Sequence, residues 1–152
     1  MWPQRVQYAL RALIALAVRP SERISAGEIA RRYDIPPKYL EAILLDLRHA
    51  GFVDSTKGKT GGYQLAKEPS ALRLITIIQV LEPSWFAGPP GGSTGAGGSS
   101  VGVAAPSTGR PLPEQPLLTT INDTVRDKLT DLTLADALSF WQSASDVLNY
   151  VI

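Results

Sequence analysis

Residues 25–65 read SAGEIARRYDIPPKYLEAILLDLRHAGFVDSTKGKTGGYQL and contain the signals of two helices, a tight turn and a hairpin. Ser25 and Glu28 have the spacing of a capping box, which predicts a helix through "AGEIARRY" that stops at Asp34-Ile35. Pro36-Pro37 predict the start of the next helix, because proline lacks the N–H that a first turn leaves unpaired. Two helices joined by so short a turn predict a helix-turn-helix.

The second of these helices is amphipathic, and a hairpin follows it. Gly51 fits a left-handed cap at its C-terminus. "GFV" and "YQL" then predict two short strands around a glycine-rich turn that carries Lys57 and Lys59. A helix-turn-helix followed by a hairpin predicts a winged helix. The apolar stripe of the helix consists of Leu40, Ile43, Leu44 and Leu47.

Two further helices complete the predicted first domain. Apolar residues at helical spacing predict one that ends near Arg19-Pro20, and the run "LRLITIIQVL" predicts another from about Ser70 to Glu82. The predicted fold class is therefore mainly α with a small β-hairpin. We assign residues 1–83 to a winged helix-turn-helix domain.

The composition changes after this domain. Between Ala87 and Pro113 the chain has one charged residue, Arg110, and no aromatic residue. Such a stretch buries too little apolar surface to offset the entropy of ordering it, so residues 84–115 are predicted to be a flexible linker.

Residues 116–145 are predicted to form dimerisation helices. Thr133 and Asp136 have capping-box spacing at the start of the second of these helices. A helix pair detached from the main domain would need a second copy of the chain to cover its apolar stripe. The predicted long dimerisation helix carries that stripe at Ile121, Val125, Leu129 and Leu132.

Composition excludes several classes of function. The chain has no cysteine, which excludes disulfides, thiolate nucleophiles and cysteine-ligated metals, and His49 is its single histidine. "KGKTGG" differs from a phosphate-binding loop, because its lysines precede the glycine pair and a strand follows. We predict no enzyme activity, no cofactor and no metal. No apolar run approaches a membrane span and no signal peptide is apparent, so we expect a cytoplasmic protein without a membrane partner.

Charge is distributed unevenly along the chain. Residues 1–80 contain 12 Lys+Arg and 7 Asp+Glu, whereas residues 81–152 contain 3 and 7. A basic first half favours a polyanionic partner. Lys38, Glu41 and Arg48 lie off the apolar stripe, as expected for a recognition helix in the major groove, and wing lysines would contact phosphates. A helical bundle that uses these turns only for packing remains the alternative.

Three segments carry a resemblance to a known family. "YALRALIALA", "ISAGEIARRYDIPPKYLEAILLDLRHAGFVDSTKGKTGGYQLA" and "TDLTLADAL" resemble the Rrf2 family of bacterial winged-helix transcription regulators, over residues 8–82 and about 117–139. The resemblance implies a homodimer, built on the long helix after the linker, that binds a palindromic operator. It places the family's base-reading glutamate on Glu41, which could accept a hydrogen bond from a cytosine amine. It places the family's basic wing residue on Lys57.

The chain also departs from the family pattern. The family usually has a Ser/Thr-Lys-Gly-Arg segment before the tyrosine, but here residues 2–7 precede Tyr8 and only Arg5 remains as a phosphate contact. Iron-sulfur members carry three cysteines where this chain has residues 87–113, so the cluster is not expected. The predicted DNA-binding residues are Arg5, Lys38, Tyr39, Glu41, Arg48, Lys57, Lys59, Thr60, Gly61 and Gly62.

The segment 146–152, "DVLNYVI", is predicted to be a docking tail. The chain resembles the cysteine-free branch of the family that represses cysteine metabolism, whose signal arrives through O-acetylserine sulfhydrylase. Tails like "NYVI" dock in that enzyme's active site, which implies that Asn149, Tyr150, Val151 and Ile152 bind it and that the pyridoxal phosphate belongs to the enzyme.

The predicted function is a DNA-binding transcriptional regulator that acts as a repressor. Three alternatives remain open at this point. The tail could pack on the dimer helices, or the protein could modulate the enzyme without gene control. A small-molecule effector could also bind at the dimer interface.

Overall fold

The computed structural model describes residues 2–58, 61–85 and 115–149. Within these residues the chain forms six helices, one antiparallel hairpin and two short 3-10 turns, Pro69–Ala71 and Pro83–Trp85. This architecture confirms the predicted fold class. The elements are α1 (Gln4–Val18), α2 (Ala26–Arg32), α3 (Pro37–His49), β1 (Val53–Thr56), β2 (Gly62–Leu65), α4 (Leu74–Leu81), α5 (Gln115–Asp131) and α6 (Leu134–Asn149).

One apolar core lies between α1, α3 and α4. The buried face of α1 is rich in alanine, including Ala9 and Ala12, and these small side chains allow neighbouring helices to approach closely. Leucines of α3 and isoleucines of α4 fill the centre of the core, which places the opposite face of α3 in solvent. The largest fully buried side chains of these three helices are Leu13, Leu16, Leu40, Ile43, Leu44, Leu47, Ile77, Ile78 and Leu81.

The helix-turn-helix forms at the predicted positions, but only the Ser25 half of the predicted capping box is present. The Ser25 hydroxyl accepts a hydrogen bond from the Glu28 N–H at 3.2 Å, which caps α2. The Glu28 carboxylate accepts from Arg19 at 3.2 Å and so ties α2 to the end of α1. Asp34 adopts a left-handed backbone with φ +51°, and the turn delivers the buried side chain of Ile35 into the core.

Gly51 ends α3 in the left-handed conformation that its position predicts. Its φ is +74°, a region that glycine enters without steric cost. The Phe52 N–H then donates to the carbonyl of Leu47 at 2.9 Å, which completes the cap and starts the hairpin.

The hairpin is attached to the segment that precedes α2. Val53 lies opposite Leu65 in the register, and Thr56 lies opposite Gly62. Ile24 and Tyr63 also exchange two backbone hydrogen bonds, of 2.9 and 2.8 Å. A Cβ at Gly62 would lie 2.8 Å from the carbonyl oxygen of Ile24, so this close approach requires glycine.

The predicted fourth helix is interrupted at its start. Instead of a helix from Ser70, the chain forms the 3-10 turn Pro69–Ala71 and then an extended pair, and α4 begins only at Leu74. The Leu74 N–H donates to the carbonyl of Leu132 at 2.9 Å, and the carbonyl of Leu72 accepts from Leu134 at 2.8 Å. These backbone groups pair with a distant segment, which a continuous helix would not allow.

The C-terminal helix pair is not detached from the first domain, contrary to the sequence-based expectation. α5 packs against α4, and α6 packs against α1. Leu129 and Leu134 are buried in the same core as the winged helix, and Arg73 donates to the carbonyl of Thr130 at 3.1 Å. The helices therefore cover apolar surface of their own chain. Residues 86–114 of the predicted linker lie outside the described residues.

Thr133 and Asp136 form the predicted capping box at the start of α6. The Asp136 carboxylate accepts from the Thr133 N–H at 2.8 Å and from its hydroxyl at 2.7 Å. The Asp136 N–H donates back to that hydroxyl at 3.4 Å. The hydroxyl and N–H of Thr133 lower the pKa of Asp136 below its ordinary value, because they stabilise the charged carboxylate. None of the described helices has both the length and the apolar character needed to cross a membrane.

Candidate nucleic-acid interface

The solvent face of α3 carries the predicted recognition residues. Lys38, Glu41 and Arg48 are all exposed. Ala42 is exposed as well, and Leu45 is 47% exposed, although both are apolar. The sequence-based reasoning did not include these two residues. Their position opposite the buried stripe of α3 was a signal that could have identified them.

Arg5 lies beside α3 but is not a free cation. Its guanidinium forms an ion pair with the carboxylate of Asp46, which is on α3. The pair links the first turn of α1 to the recognition helix. Asp46 was not among the predicted site residues, because only the packing of α1 against α3 brings the two side chains together.

Tyr39 joins an aromatic cluster at the junction of α1 and α3. It is 52% exposed, and its ring meets the edge of Tyr8 with centroids 6.1 Å apart. Gln4 donates to the Tyr8 hydroxyl at 2.9 Å, and the Arg11 guanidinium lies 5.6 Å from the Tyr8 ring centre. The Tyr8–Tyr39 contact joins the start of α3 to α1, and the contacts of Gln4 and Arg11 with Tyr8 lie within α1. An open groove at this junction is lined by Arg5, Lys38, Tyr39, Ala42 and Ile43.

The wing presents Lys57 at the end of β1. Its side chain is exposed, and Gly58 follows with φ +118°. A Cβ at Gly61 would overlap the carbonyl oxygen of Thr56, so Gly61 is needed for the tight turn itself. Lys59 and Thr60 lie outside the described residues. β1 packs against α3, so the strand that leads to Lys57 lies beside the helix that carries Lys38, Glu41 and Arg48.

The predicted dimerisation residues divide into two pairs. Leu129 is buried in the core of its own chain, whereas Leu132 packs against that core and is only partly buried. Ile121 and Val125 are 49% and 37% exposed one helical turn apart on α5. The dimerisation role stays a prediction for Ile121, Val125 and Leu132.

An apolar groove of about 540 Å³ opens where α1, α4 and α5 meet. Trp2 closes one side and contacts Trp85 edge to face, with ring centroids 4.5 Å apart. The Gln7 side chain donates to the carbonyl of Trp2 at 2.9 Å. The groove is lined by Trp2, Gln7, Leu10, Leu74, Ile78, Leu129 and Leu132.

The predicted docking residues fall at the edge of the described structure. α6 ends at Asn149, and Tyr150, Val151 and Ile152 lie outside the described residues. Across the described residues, no group of three or more His, Asp and Glu side chains is placed to hold a metal ion.

Residues 3–139 match the Rrf2 family, described as "iron-dependent transcriptional regulator". The chain belongs to the Rrf2 family. This match spans the winged helix and α5, and it continues into α6. The Rrf2 description refers to iron, but this chain has no cysteine, so a cluster held by cysteine thiolates would have no ligands here.

Individual Rrf2 proteins are similar to this chain in sequence and in structure. The HTH-type transcriptional regulator IscR of Cereibacter sphaeroides is 34% identical over 103 residues, which cover 62% of this chain and 66% of that protein. The structure of CymR, the global cysteine regulator of B. subtilis, is 30% identical with a TM-score of 0.68, covering 92% of this chain and 97% of CymR. T. potens IscR is 28% identical with a TM-score of 0.70, covering 95% and 90%.

The chain spans about half to two thirds of the length of five curated relatives that it matches, from 53% to 66%. Four of these relatives are named as HTH-type transcriptional regulators. The description of the family likewise names transcriptional regulation.

Proposed function

We propose that this chain is a repressor that binds a palindromic operator as a homodimer in the cytoplasm. The observation that carries the proposal is the exposure of Lys38, Glu41 and Arg48 on α3 and of Lys57 on the wing, whose strand β1 packs against that helix. In this arrangement the helix enters the major groove, and the wing lysine neutralises a phosphate.

Glu41 supplies a base-specific contact in this proposal. A carboxylate accepts from the N4 amine of cytosine, and a phosphate would repel it, so its exposure on the same helix as Lys38 and Arg48 favours base reading. Arg48 lies two turns further along α3, where its charge favours the DNA backbone.

The homodimer follows from the symmetry of a palindromic site. Each half-site binds one recognition helix, so two chains must be related by a two-fold axis. Ile121 and Val125 support α5 as the contact, because the described residues of their own chain leave these apolar side chains 49% and 37% exposed.

The test of gene control is a footprint on the DNA upstream of the protein's own gene. We expect a protected palindrome with the wild-type chain and no protection with Glu41→Ala. Glu22→Ala, which removes a carboxylate from the loop before α2, is the matched control and should protect the same site. An absence of any protected site would favour the alternative, an interaction protein without gene control.

We further propose that the regulator senses sulfur status by docking to O-acetylserine sulfhydrylase through Asn149, Tyr150, Val151 and Ile152. Two observations support this step: the similarity to CymR along 97% of that protein, and the sequence "NYVI" directly after the last turn of α6. Apolar surface beside the enzyme's amino-acid pocket would accept Tyr150 and Ile152. O-acetylserine would compete for that pocket.

Binding of the host's purified sulfhydrylase to the full chain, measured by calorimetry, tests the docking step. We expect binding that is lost when Asn149 to Ile152 are removed and reversed by O-acetylserine. Ser139→Ala, a change in the body of α6, is the control and should bind normally. Binding that ignores the deletion would exclude the tail as the docking segment.

The apolar groove between α1, α4 and α5 favours a second candidate signal, a small apolar effector. Its lining joins the DNA-binding domain to the proposed dimer helix through Leu10, Ile78 and Leu129, so a bound molecule would contact both. In that case removing Asn149 to Ile152 leaves the effector response intact, whereas Leu10→Trp, which would fill the groove, abolishes it.

A further inference from the structure

The centre of the exposed face of α3 is apolar. Lys38, Ala42, Leu45 and His49 follow the spacing i, i+4, i+7, i+11, which places them on one line of the helix opposite the buried leucines. Ala42 and Leu45 occupy the middle of that line, and Leu45 is 47% exposed. A large apolar side chain therefore stands where a recognition helix meets the floor of the major groove.

Neither side chain can read a base by hydrogen bonding. The group on the major-groove edge of a base pair that suits apolar contact is the 5-methyl of thymine. Residues three apart on a helix are separated by about 4.5 Å along its axis, which is close to the roughly 3.4 Å between successive bases of a strand. Ala42 and Leu45 are therefore spaced to meet neighbouring base pairs.

We propose that Ala42 and Leu45 read thymine methyl groups in the operator half-site, beside the base that Glu41 reads. The inference rests on the proposed DNA binding by α3 and adds the base class that its apolar residues select. A protein partner fits this face less well, because Lys38 and Arg48 border the two residues and Lys57 lies on the adjoining wing. These charges complement a polyanion.

The experiment begins with selection of binding sites from a random DNA pool by the full-length protein. Each thymine of the selected half-site is then replaced by uracil, which keeps every hydrogen-bonding group and removes only the methyl. Kd is measured by fluorescence anisotropy for the wild type, Leu45→Ala and Ala42→Ser. Val80→Ala is the matched control, because Val80 is an exposed apolar residue on α4. Far-UV circular dichroism verifies that each variant is folded.

We expect uracil at one or two positions to weaken wild-type binding about three- to fivefold, as loss of one buried methyl predicts. Leu45→Ala should weaken binding to the thymine site but make it insensitive to uracil at one position, and Ala42→Ser should do so at the neighbouring position. Val80→Ala should retain both uracil effects.

Two results would overturn the proposal in different ways. If the protein selects a site but uracil is tolerated at every position, or the uracil effect survives in both α3 variants, the methyl contacts are wrong and DNA binding stands. If the pool yields no preferred sequence, the proposed function fails together with this inference.

Discussion

Arg73 and Thr133 form an antiparallel β-bridge that joins the start of α4 to the turn between α5 and α6. Hydrogen bonds of 2.9 Å from Leu74 to Leu132 and of 2.8 Å from Leu134 to Leu72 flank the bridge. The bridge therefore fixes the C-terminal helices on the winged helix. α5 is thereby connected to α4, which itself packs against α3.

A substitution at Leu134 tests how much this junction contributes to the free energy of unfolding. Its side chain is fully buried, so Leu134→Ala should lower the free energy of unfolding by about 2–5 kcal/mol through lost burial and the cavity left behind. Urea unfolding followed by circular dichroism measures the change. Phe140→Ala on the same helix is the control: Phe140 is 69% exposed, and the effect should stay within about 0.5 kcal/mol. Equal effects for the two variants would mean that α6 is not fixed to the domain.

Lys57 tests the electrostatic contribution of the wing. Lys57→Ala should weaken operator binding and reduce the slope of log K against log salt by about one, because one phosphate contact is lost. Lys67→Ala removes the same charge just after the hairpin and should leave the slope unchanged. Anisotropy titrations between about 50 and 200 mM salt measure this slope. An unchanged slope for Lys57→Ala would remove Lys57 from the interface.

The ion pair between Arg5 and Asp46 restrains a cation beside the recognition helix. Asp46→Asn should release Arg5 toward the phosphate backbone, strengthen DNA binding at low salt and make the salt slope steeper by up to about one. Stability should change by less than about 1 kcal/mol, because the two side chains are 34% and 37% exposed and solvent screens the pair. Glu22→Gln, the same charge change at a pair with Arg19 away from α3, should leave binding unaltered. Weaker binding by Asp46→Asn would indicate that the pair positions α3 instead.

Local signals account for the parts of the fold that were predicted. Three features depend only on residues a few positions apart: the hydrogen bond that caps α2 at Ser25, the left-handed conformation of Gly51, and the prolines Pro36 and Pro37 at the start of α3. Such short-range features can be predicted from the sequence alone. The glycines of the hairpin turn act similarly, although the close approach of Gly62 to Ile24 depends on a second segment.

Contacts between distant segments were not predicted. The stripe on α5 shows which face is buried but not what covers it, and for this reason Leu129 was assigned to a dimer although it packs in its own chain. The bridge between Arg73 and Thr133 is formed by backbone atoms, so no pattern of side chains in the sequence predicts it. The exposed Leu45 could have been identified from the helical spacing alone, but an apolar residue outside the stripe was not considered a contact residue.

The capping box of α6 is expected to make the stability of the fold depend on pH. Because the pKa of Asp136 is lower in the folded chain than its ordinary 3.8, its contribution to stability is present above that value and is lost as pH falls through the folded pKa. Thr133→Ala removes the hydroxyl, the largest cause of the shift, so the pKa of Asp136 should rise toward 3.8. A carboxyl-carbon NMR titration measures it. Ser139→Ala, one turn further along α6, should leave the pKa of Asp136 unchanged.

Val125 tests the proposed homodimer, since Val125 and Ile121 form the exposed stripe of α5. Val125→Asp places a charge in the proposed interface, where it would be buried without a partner, so sedimentation should change from the mass of two chains to that of one. Val80→Asp introduces the same charge at a valine of equal exposure, 37%, on α4 and should sediment like the wild type.

The same variant separates dimerisation from DNA recognition. A Val125→Asp monomer keeps α3 and the wing, so it should still bind a half-site. Its affinity for the full palindrome should fall at least about tenfold, because the second half-site no longer binds at the effective concentration set by the dimer. A monomeric variant with undiminished affinity for the palindrome would mean that one chain suffices. A variant that remains dimeric would place the interface on another surface than α5.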